Sequence, residues 1–339
     1  MPNIYNLTKE ELEKYFLSIG EKKFKAIQVY EWLYQKKEQN ADKFSNIKKE
    51  IRDKLIKDFN FYFIEIVKKE ESELTKKYLF KLKDGEYIEA VLMHHDYGNS
   101  ICVSSEVGCN MGCRFCASGL KKKVRNLEPY EIVEQILAIE ADLNLRISSV
   151  VIMGIGEPLD NYDNIITFIK IINDAKGLAI GARHITLSTC GLVPKIKELS
   201  KLPLQINLAI SFHAPNDALR DKLMPVNKVY NISTLIAAIQ DYLQTTSRRV
   251  TIEYVMLMNI NDSEAHAKEL ALLFKGMNIY VNLIPYNETN TMDFKRSSKN
   301  KILKFYDILK KMGINCTIRR EFGSNINAAC GQLRGSMDK

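Results

Sequence analysis

The chain has 339 residues, 46% hydrophobic and 27% charged, enough for a large domain with its own core plus an accessory one. No run of about 18 apolar residues occurs, which excludes a membrane-spanning helix, and Met1-Pro2-Asn3-Ile4-Tyr5 lacks the basic and apolar regions of a signal peptide, so a cytoplasmic location is expected. The net charge of +8 is uneven, with eleven Lys/Arg against four Asp/Glu from Thr291 to Lys339 and a run at Lys121-Lys122-Lys123-Val124-Arg125, a pattern that suits a polyanion such as RNA or, more plainly, a solvated face.

Residues 1–60 read as short helices. Thr8 with Glu11 three positions on has the form of a capping box. Phe24, Ile27, Val29, Tyr30, Trp32 and Leu33 follow at near-helical spacing, and the style continues from Ile47 to Phe59. A small helical accessory domain is expected, with Trp32 in its core and nothing catalytic; a grip on RNA is one use for it. From 61 to 94 the pattern becomes a β-hairpin extension. Phe61 to Val67 and Lys77 to Leu82 read as strands, and a Lys83-Asp84-Gly85 turn leads to a strand over Tyr87 to Leu92. Glu89 falls mid-strand, where such a residue ordinarily points to solvent.

Beyond Ser100, strands are expected near 100–106, 148–154, 184–189, 205–212, 249–257, 279–285 and 314–320, and helices near 129–144, 161–174, 194–201, 231–245, 262–276 and 299–312. Repeated βα units predict an α/β fold with a parallel sheet and helices outside it, either a barrel or an open doubly wound sheet. In both, the loops at the carboxyl ends of the strands carry the site.

Four of the seven cysteines fall within fifteen residues, in Cys102-Val-Ser-Ser-Glu-Val-Gly-Cys109-Asn-Met-Gly-Cys113-Arg-Phe-Cys116. An odd, clustered set suits metal or redox work in a reducing compartment better than a disulfide framework. Structural zinc almost always takes four protein ligands, commonly two CxxC pairs, and no second pair exists here. A cubane iron-sulfur cluster on Cys109, Cys113 and Cys116 would leave one iron open for chemistry. The spacing alone leaves a zinc knuckle or a purely structural cluster as alternatives.

Further motifs sit at expected strand ends. Met153-Gly154-Ile155-Gly156-Glu157-Pro158 brings glycines that let a ligand approach the backbone and a proline that stops the strand. Thr186-Leu187-Ser188-Thr189-Cys190-Gly191, Ser211-Phe212-His213-Ala214-Pro215-Asn216-Asp217 and Asn282-Leu283-Ile284-Pro285-Tyr286-Asn287 offer hydroxyls and amides for a ribose, a carboxylate or an adenine edge. Each taken singly is an ordinary turn or helix cap. Asn327-Ala-Ala-Cys330-Gly331-Gln332-Leu333 adds a thiol whose basic surroundings should favour the reactive thiolate.

Together these motifs closely resemble the RlmN/Cfr family of radical S-adenosylmethionine (AdoMet) RNA methyltransferases. The likeness runs from about Ile88 through Leu333, in CVSSxVGCxxxCxFC, Arg125-Asn126-Leu127, GxGEP, HAPND, IEYVML, NLIPYN and ACGQL. Ile155 stands where the family often has Met, and Cys190 is an additional thiol. The resemblance implies a partial (β/α)6, TIM-like barrel over 95–323 and a C-terminal segment, 324–339, carrying Cys330. It implies a 4Fe-4S cluster on Cys109, Cys113 and Cys116, and an AdoMet pocket of Gly156, Glu157, Ser188, Ser211, Phe212, His213 and Asn287. Cys330 matches the thiol methylated by a first AdoMet; a second, cleaved reductively to a 5′-deoxyadenosyl radical, takes hydrogen from that methyl, and the carbon radical adds to adenine. Adenine carbon 2 is not nucleophilic, so a radical route reaches what polar transfer does not. Cys102 matches the thiol that resolves the enzyme-RNA adduct through a transient disulfide, and Glu89 the base that removes the ring proton.

Within the family, one branch methylates carbon 2 of an adenosine in 23S rRNA and, in some bacteria, in certain tRNAs. The other methylates carbon 8 and confers antibiotic resistance. Gly-Glu-Pro-Leu and His-Ala-Pro-Asn-Asp look like the first. A monomer served by a flavodoxin or ferredoxin is the implied working form. A non-catalytic cluster or zinc protein that binds RNA is the rival class, and it leaves Cys102 and Cys330 without a role.

Overall fold

A single ten-stranded sheet organises the molecule, whose computed structural model describes residues 1–289, 292–320, 323 and 326–335. Of the expected C-terminal segment, 324, 325 and 336–339 lie outside the described residues. The chain opens with helices α1 (Lys9–Ser18), α2 (Phe24–Tyr34) and α3 (Lys49–Asp58). Thr8 caps α1 as its sequence predicts: its hydroxyl accepts from Glu11 N at 3.3 Å while the Glu11 carboxylate accepts from Thr8 N at 2.8 Å. Trp32 stacks on Phe44 and donates its indole N–H to Asn46, so it packs within the helical region. Phe16, Val29, Leu33 and Leu55 share one continuous core with the main sheet.

Strands β1 (Glu65–Ser72), β2 (Thr75–Lys81), β3 (Tyr87–His95) and β4 (Gly98–Val103) form an antiparallel meander with the expected turn before β3. The first of these starts later than the apolar run at 61–64 suggests. Tyr62 O accepts from the Asn3 amide, Phe63 packs edge-on against Tyr5, and Ile64 N donates to Glu134, so these residues dock on their neighbours instead of pairing in the sheet.

A two-stranded ribbon, β5 (Glu106–Val107) with β6 (Arg125–Asn126), brackets the cysteine loop. Then follow α4 (Pro129–Leu143), β7 (Ile147–Ile152), α5 (Tyr162–Asn173), β8 (Ile185–Thr189), α6 (Val193–Leu199), β9 (Asn207–Ser211), α7 (Asp217–Leu223), α8 (Ile232–Thr246), β10 (Val250–Met256), α9 (Glu264–Leu273), β11 (Ile279–Pro285), α10 (Lys299–Lys311) and β12 (Cys316–Ile318). The sheet order is β1-β2-β3-β4-β7-β8-β9-β10-β11-β12, parallel from β4 onward.

Each parallel step moves to the next neighbour in the same direction. A doubly wound sheet would reverse at a switch point, and none exists among the described residues. Crossovers of one hand along a one-way order put the helices on one face and leave the other as the inside of an open barrel. This is the expected partial barrel, with β12 as a seventh parallel strand. Helix α7 was not anticipated: seven residues after a proline are too few to show a period. Asn216 caps it, accepting from Leu219 N at 3.0 Å, so the motif before it serves partly as a plain cap. Among the described residues no helix is long and apolar enough to cross a membrane.

Candidate active site

The three clustered cysteines line a cavity at the carboxyl ends of the parallel strands. Their loop is pinned by backbone bonds from Cys109 N to Lys121 O (3.0 Å) and from Arg114 N to Leu223 O (3.0 Å). Burial pushes the Cys109 thiol up to about 12 and Cys113 well above its ordinary value, and the neighbouring thiols add to both shifts. Such sulfurs become thiolates when a metal's positive charge joins them. Three thiols on one loop, all lining the cavity, suit a cubane, which spreads three thiolates over separate irons, better than structural zinc, which almost always takes four protein ligands.

The Gly156-Glu157 turn follows β7. Gly156 has φ +110°, and a Cβ there would lie 2.6 Å from Glu106 Cβ and 2.7 Å from Ser105 Oγ. Glu106 is fully buried; one oxygen accepts from Glu157 N at 2.9 Å and the other sits 2.6 Å from Lys123 Nζ. Burial raises its pKa to about 7 against the pull of Lys123. The Glu157 carboxylate accepts from Cys190 N (2.7 Å) and Leu159 N (3.1 Å), and burial raises it too. The Thr189 hydroxyl and the Cys190 thiol also bond to it, and it lines the cavity, where a ligand ammonium would meet a carboxylate already fixed in place. Gly156→Ala is expected to lower AdoMet affinity at least about tenfold, measured by equilibrium dialysis on cluster-loaded protein, because the new methyl must displace Glu106 or strain the turn. Unchanged affinity would show the turn to be compliant.

Ser188, Ser211, His213 and Asn287 line the same cavity. His213, at φ +58°, accepts from Val255 N at Nδ1 (3.0 Å), so its proton is on Nε2. Burial lowers its pKa to about 3, and it is neutral at physiological pH. Asn287 donates to Cys330 O at 3.4 Å, and its Oδ1 is buried without a hydrogen-bond partner, an acceptor suited to an adenine amine. Phe212 differs from its neighbours. Its ring is buried against Phe274 away from the cavity, and its backbone bonds to Glu253 O and to the Arg220 side chain.

Cys330 comes to this mouth on the C-terminal segment. Ala117 N donates to Gly331 O at 2.8 Å and Ser118 Oγ to Leu333 O at 2.9 Å, tying the segment directly to the cysteine loop. The Cys330 side chain is exposed, facing the cavity, and Cys102 lines the same cavity from β4. The basic surroundings do not make Cys330 a ready thiolate. Although the side chain opens on the cavity, the protein walls around it exclude enough water to raise its pKa, and this outweighs Arg319, which pulls it down. Burial likewise raises Cys102 to about 12, with Cys330 adding to the shift.

Glu89 is buried rather than solvent-facing. Its Oε2 accepts from Arg334 N (2.6 Å) and Gly335 N (3.0 Å), and Lys77 Nζ lies 3.5 Å from Oε1; it holds the C-terminal segment and is not among the cavity-lining residues. The Lys121–Arg125 run is also less available to a polyanion than its composition suggests. Lys121 pairs with Glu86, Lys123 with Glu106 and Asp160, and Arg125 with Asp84 and Glu131. Four residues at or beside the site went unnoticed in the sequence: Glu106, Arg220, Glu253 and Arg319. Glu253 had the clearest signal, an acid inside the apolar run Ile-Glu-Tyr-Val-Met-Leu.

A one-way parallel barrel with a thiol triad at its mouth places the chain among radical SAM enzymes, SAM being AdoMet, and the Radical SAM superfamily model matches residues 103–271. The model of the ribosomal RNA large subunit methyltransferase N-terminal domain matches residues 2–60. The protein called "Probable dual-specificity RNA methyltransferase RlmN" in Enterococcus faecalis is 52% identical over 99% of this chain and 97% of its own length. Its namesake in Acholeplasma laidlawii is 52% identical over 98% of each. A solved radical SAM methyltransferase from Sphaerobacter thermophilus superposes with a TM-score of 0.94 at 40% identity, covering 99% of this chain and 100% of that one. The chain belongs to the RlmN family of radical SAM RNA methyltransferases, whose cofactors are a 4Fe-4S cluster and AdoMet.

Proposed function

We propose that this enzyme methylates carbon 2 of an adenosine in 23S rRNA, and of an adenosine in tRNA, with Cys330 as the methyl carrier. The observation that carries this reading is the meeting of Cys330 and Cys102 with the three cluster cysteines around one cavity. A cluster bound there, reduced by a flavodoxin- or ferredoxin-type donor, would supply the electron for reductive cleavage of AdoMet. Cys109, Cys113 and Cys116 hold the cluster. Gly156 lets the methionine end of AdoMet approach the backbone, Glu157 accepts from its ammonium, and Ser188, Ser211, His213 and Asn287 bind ribose and adenine. Phe212 acts through its backbone. Two AdoMet are consumed per methyl delivered, one to methylate Cys330 and one to activate that methyl. Glu89 takes the ring proton once the C-terminal segment releases its carboxylate, and the unpaired electron left on the adduct is one that the bound, oxidised cluster would take back; Cys102 then displaces the product.

In this reading residues 1–60 are an accessory domain for RNA, 61–94 an extension, 95–323 the catalytic barrel and 324–339 the carrier segment. The dual specificity in the names of the relatives supports the two RNA substrates. The test is anaerobic reconstitution, reaction with unmodified rRNA and tRNA, and mass spectrometry of the nucleosides. 2-Methyladenosine from both RNAs is expected, whereas 8-methyladenosine would overturn the assignment of the ring position.

A further inference from the structure

Arg220, on α7, is fully buried, and its guanidinium meets only neutral acceptors. Nε donates to Phe212 O at 3.1 Å and Nη1 to Asn227 Oδ1 at 2.9 Å, while Nη2 donates to Cys190 O at 2.8 Å and to Ser211 O at 3.3 Å. A buried charge ordinarily has a counter-ion, because desolvation is costly. Here the bonded carboxylates stand one layer out: Asn227 Nδ2 donates to Asp217 at 2.9 Å and to Asp221 at 2.8 Å. The positive charge is therefore hydrogen-bonded but only partly neutralised.

Its location gives that charge a use. Cys190 and Phe212 are the residues just past β8 and β9, and Ser211 ends β9. One planar fork thus clamps the carboxyl ends of two adjacent strands that carry Ser188, Ser211, His213 and the Cys190 N–H that holds Glu157. The same helix meets the cysteine loop, Leu223 O accepting from Arg114 N beside Cys113 at 3.0 Å, and Cys190, held by the guanidinium, lines the cavity together with Cys109, Cys113 and Cys116. A cluster with three thiolate ligands is anionic and becomes more so on one-electron reduction. In a site poorly screened by water a nearby fixed cation stabilises the reduced form, since cluster potentials follow local charge, hydrogen bonding and exposure.

We propose that Arg220 is a positioning residue that fixes the ends of β8 and β9 for AdoMet and, through its partly neutralised buried charge, raises the reduction potential of the cluster. The inference rests on Cys109, Cys113 and Cys116 being the cluster ligands. It does not depend on which ring carbon is methylated.

The test uses the full chain, reconstituted anaerobically with iron and sulfide. A dithionite potentiometric titration gives the cluster midpoint, and equilibrium dialysis gives AdoMet affinity. Arg220→Gln is expected to move the midpoint to a more negative value and weaken AdoMet binding about tenfold or more. Arg220→Lys keeps the charge and is expected to hold the midpoint while weakening AdoMet, because a point-like ammonium does not span four acceptors. Asp221→Asn removes a negative charge yet leaves an oxygen for Asn227, so it should fold normally and shift the midpoint to a more positive value. An unchanged midpoint in Asp221→Asn, or in an Arg220→Gln protein with full iron content, overturns the electrostatic role. Wild-type AdoMet affinity in Arg220→Lys overturns the positioning role. Failure of the wild-type protein to take up iron would instead strike the ligand assignment itself.

Discussion

Cys330→Ala is expected to reduce RNA methylation below detection while leaving cluster content and AdoMet affinity at wild-type values. The contacts that dock the C-terminal segment use the Cys330 carbonyl, the Gly331 and Leu333 carbonyls, and the Gln332 side chain, none of which is altered by removing the thiol. Cys330 is exposed, so the substitution opens no buried cavity and stability should change little. What disappears is the only sulfur that the described residues of the C-terminal segment bring to the cavity. A general loss of activity by misfolding would also lower iron content and AdoMet affinity; loss of the carrier alone would not. The measurement is methylated adenosine by mass spectrometry beside iron analysis and AdoMet dialysis on the same preparation. Methylation within about tenfold of wild type, a difference near 1.4 kcal/mol in barrier height, would mean that another sulfur carries the methyl. Cys102 and Cys190, which line the same cavity, would be the ones to replace next.

The parallel strands could be read because strands buried on both faces are nearly unbroken apolar runs, as in Ser-Val-Val-Ile at β7 and Asn-Leu-Ala-Ile-Ser at β9. Their order could not, because periodicity says nothing about which strand neighbours which; the one-way sequence of the sheet separates a barrel from a doubly wound fold. The cysteine triad, the glycine-glutamate turn and the strand-end hydroxyls were legible because each is a contiguous stretch with local chemistry. Arg220, Arg319 and Glu106 were not, since their meaning lies in partners distant along the chain. Glu106 matters through Glu157, fifty-one positions away, and Arg220 through Cys190. The same blindness made Lys121–Arg125 look like an open basic patch, when Asp84, Glu86, Glu131 and Asp160 neutralise most of it through space. Glu89 was misplaced in solvent for the same reason. The segment that buries it is Arg334-Gly335, at the other end of the sequence.

Cys102→Ala is expected to leave the protein covalently joined to RNA, seen as a band of raised mass in a denaturing gel that ribonuclease collapses. In the proposed cycle the carbon added to adenine remains bonded to the Cys330 sulfur. A thiolate at Cys102 attacks that sulfur, a disulfide forms, and the sulfur–carbon bond breaks with its electron pair passing to the RNA, where the released carbon gains a proton and becomes methyl. Without Cys102 the last bond has no intramolecular nucleophile. The proposed step needs the two thiols on one cavity, and both line it. Burial pushes the free Cys102 thiol up to about 12, so near neutral pH only a small fraction is thiolate, and that fraction grows about tenfold for each pH unit below 12. If the proton leaves to solvent, release of wild-type product in a single-turnover experiment should quicken with rising pH by up to the same factor. A flat profile would mean that a neighbouring group takes the proton. Multiple turnovers by Cys102→Ala, with no adduct on the gel, would remove Cys102 from the cycle altogether.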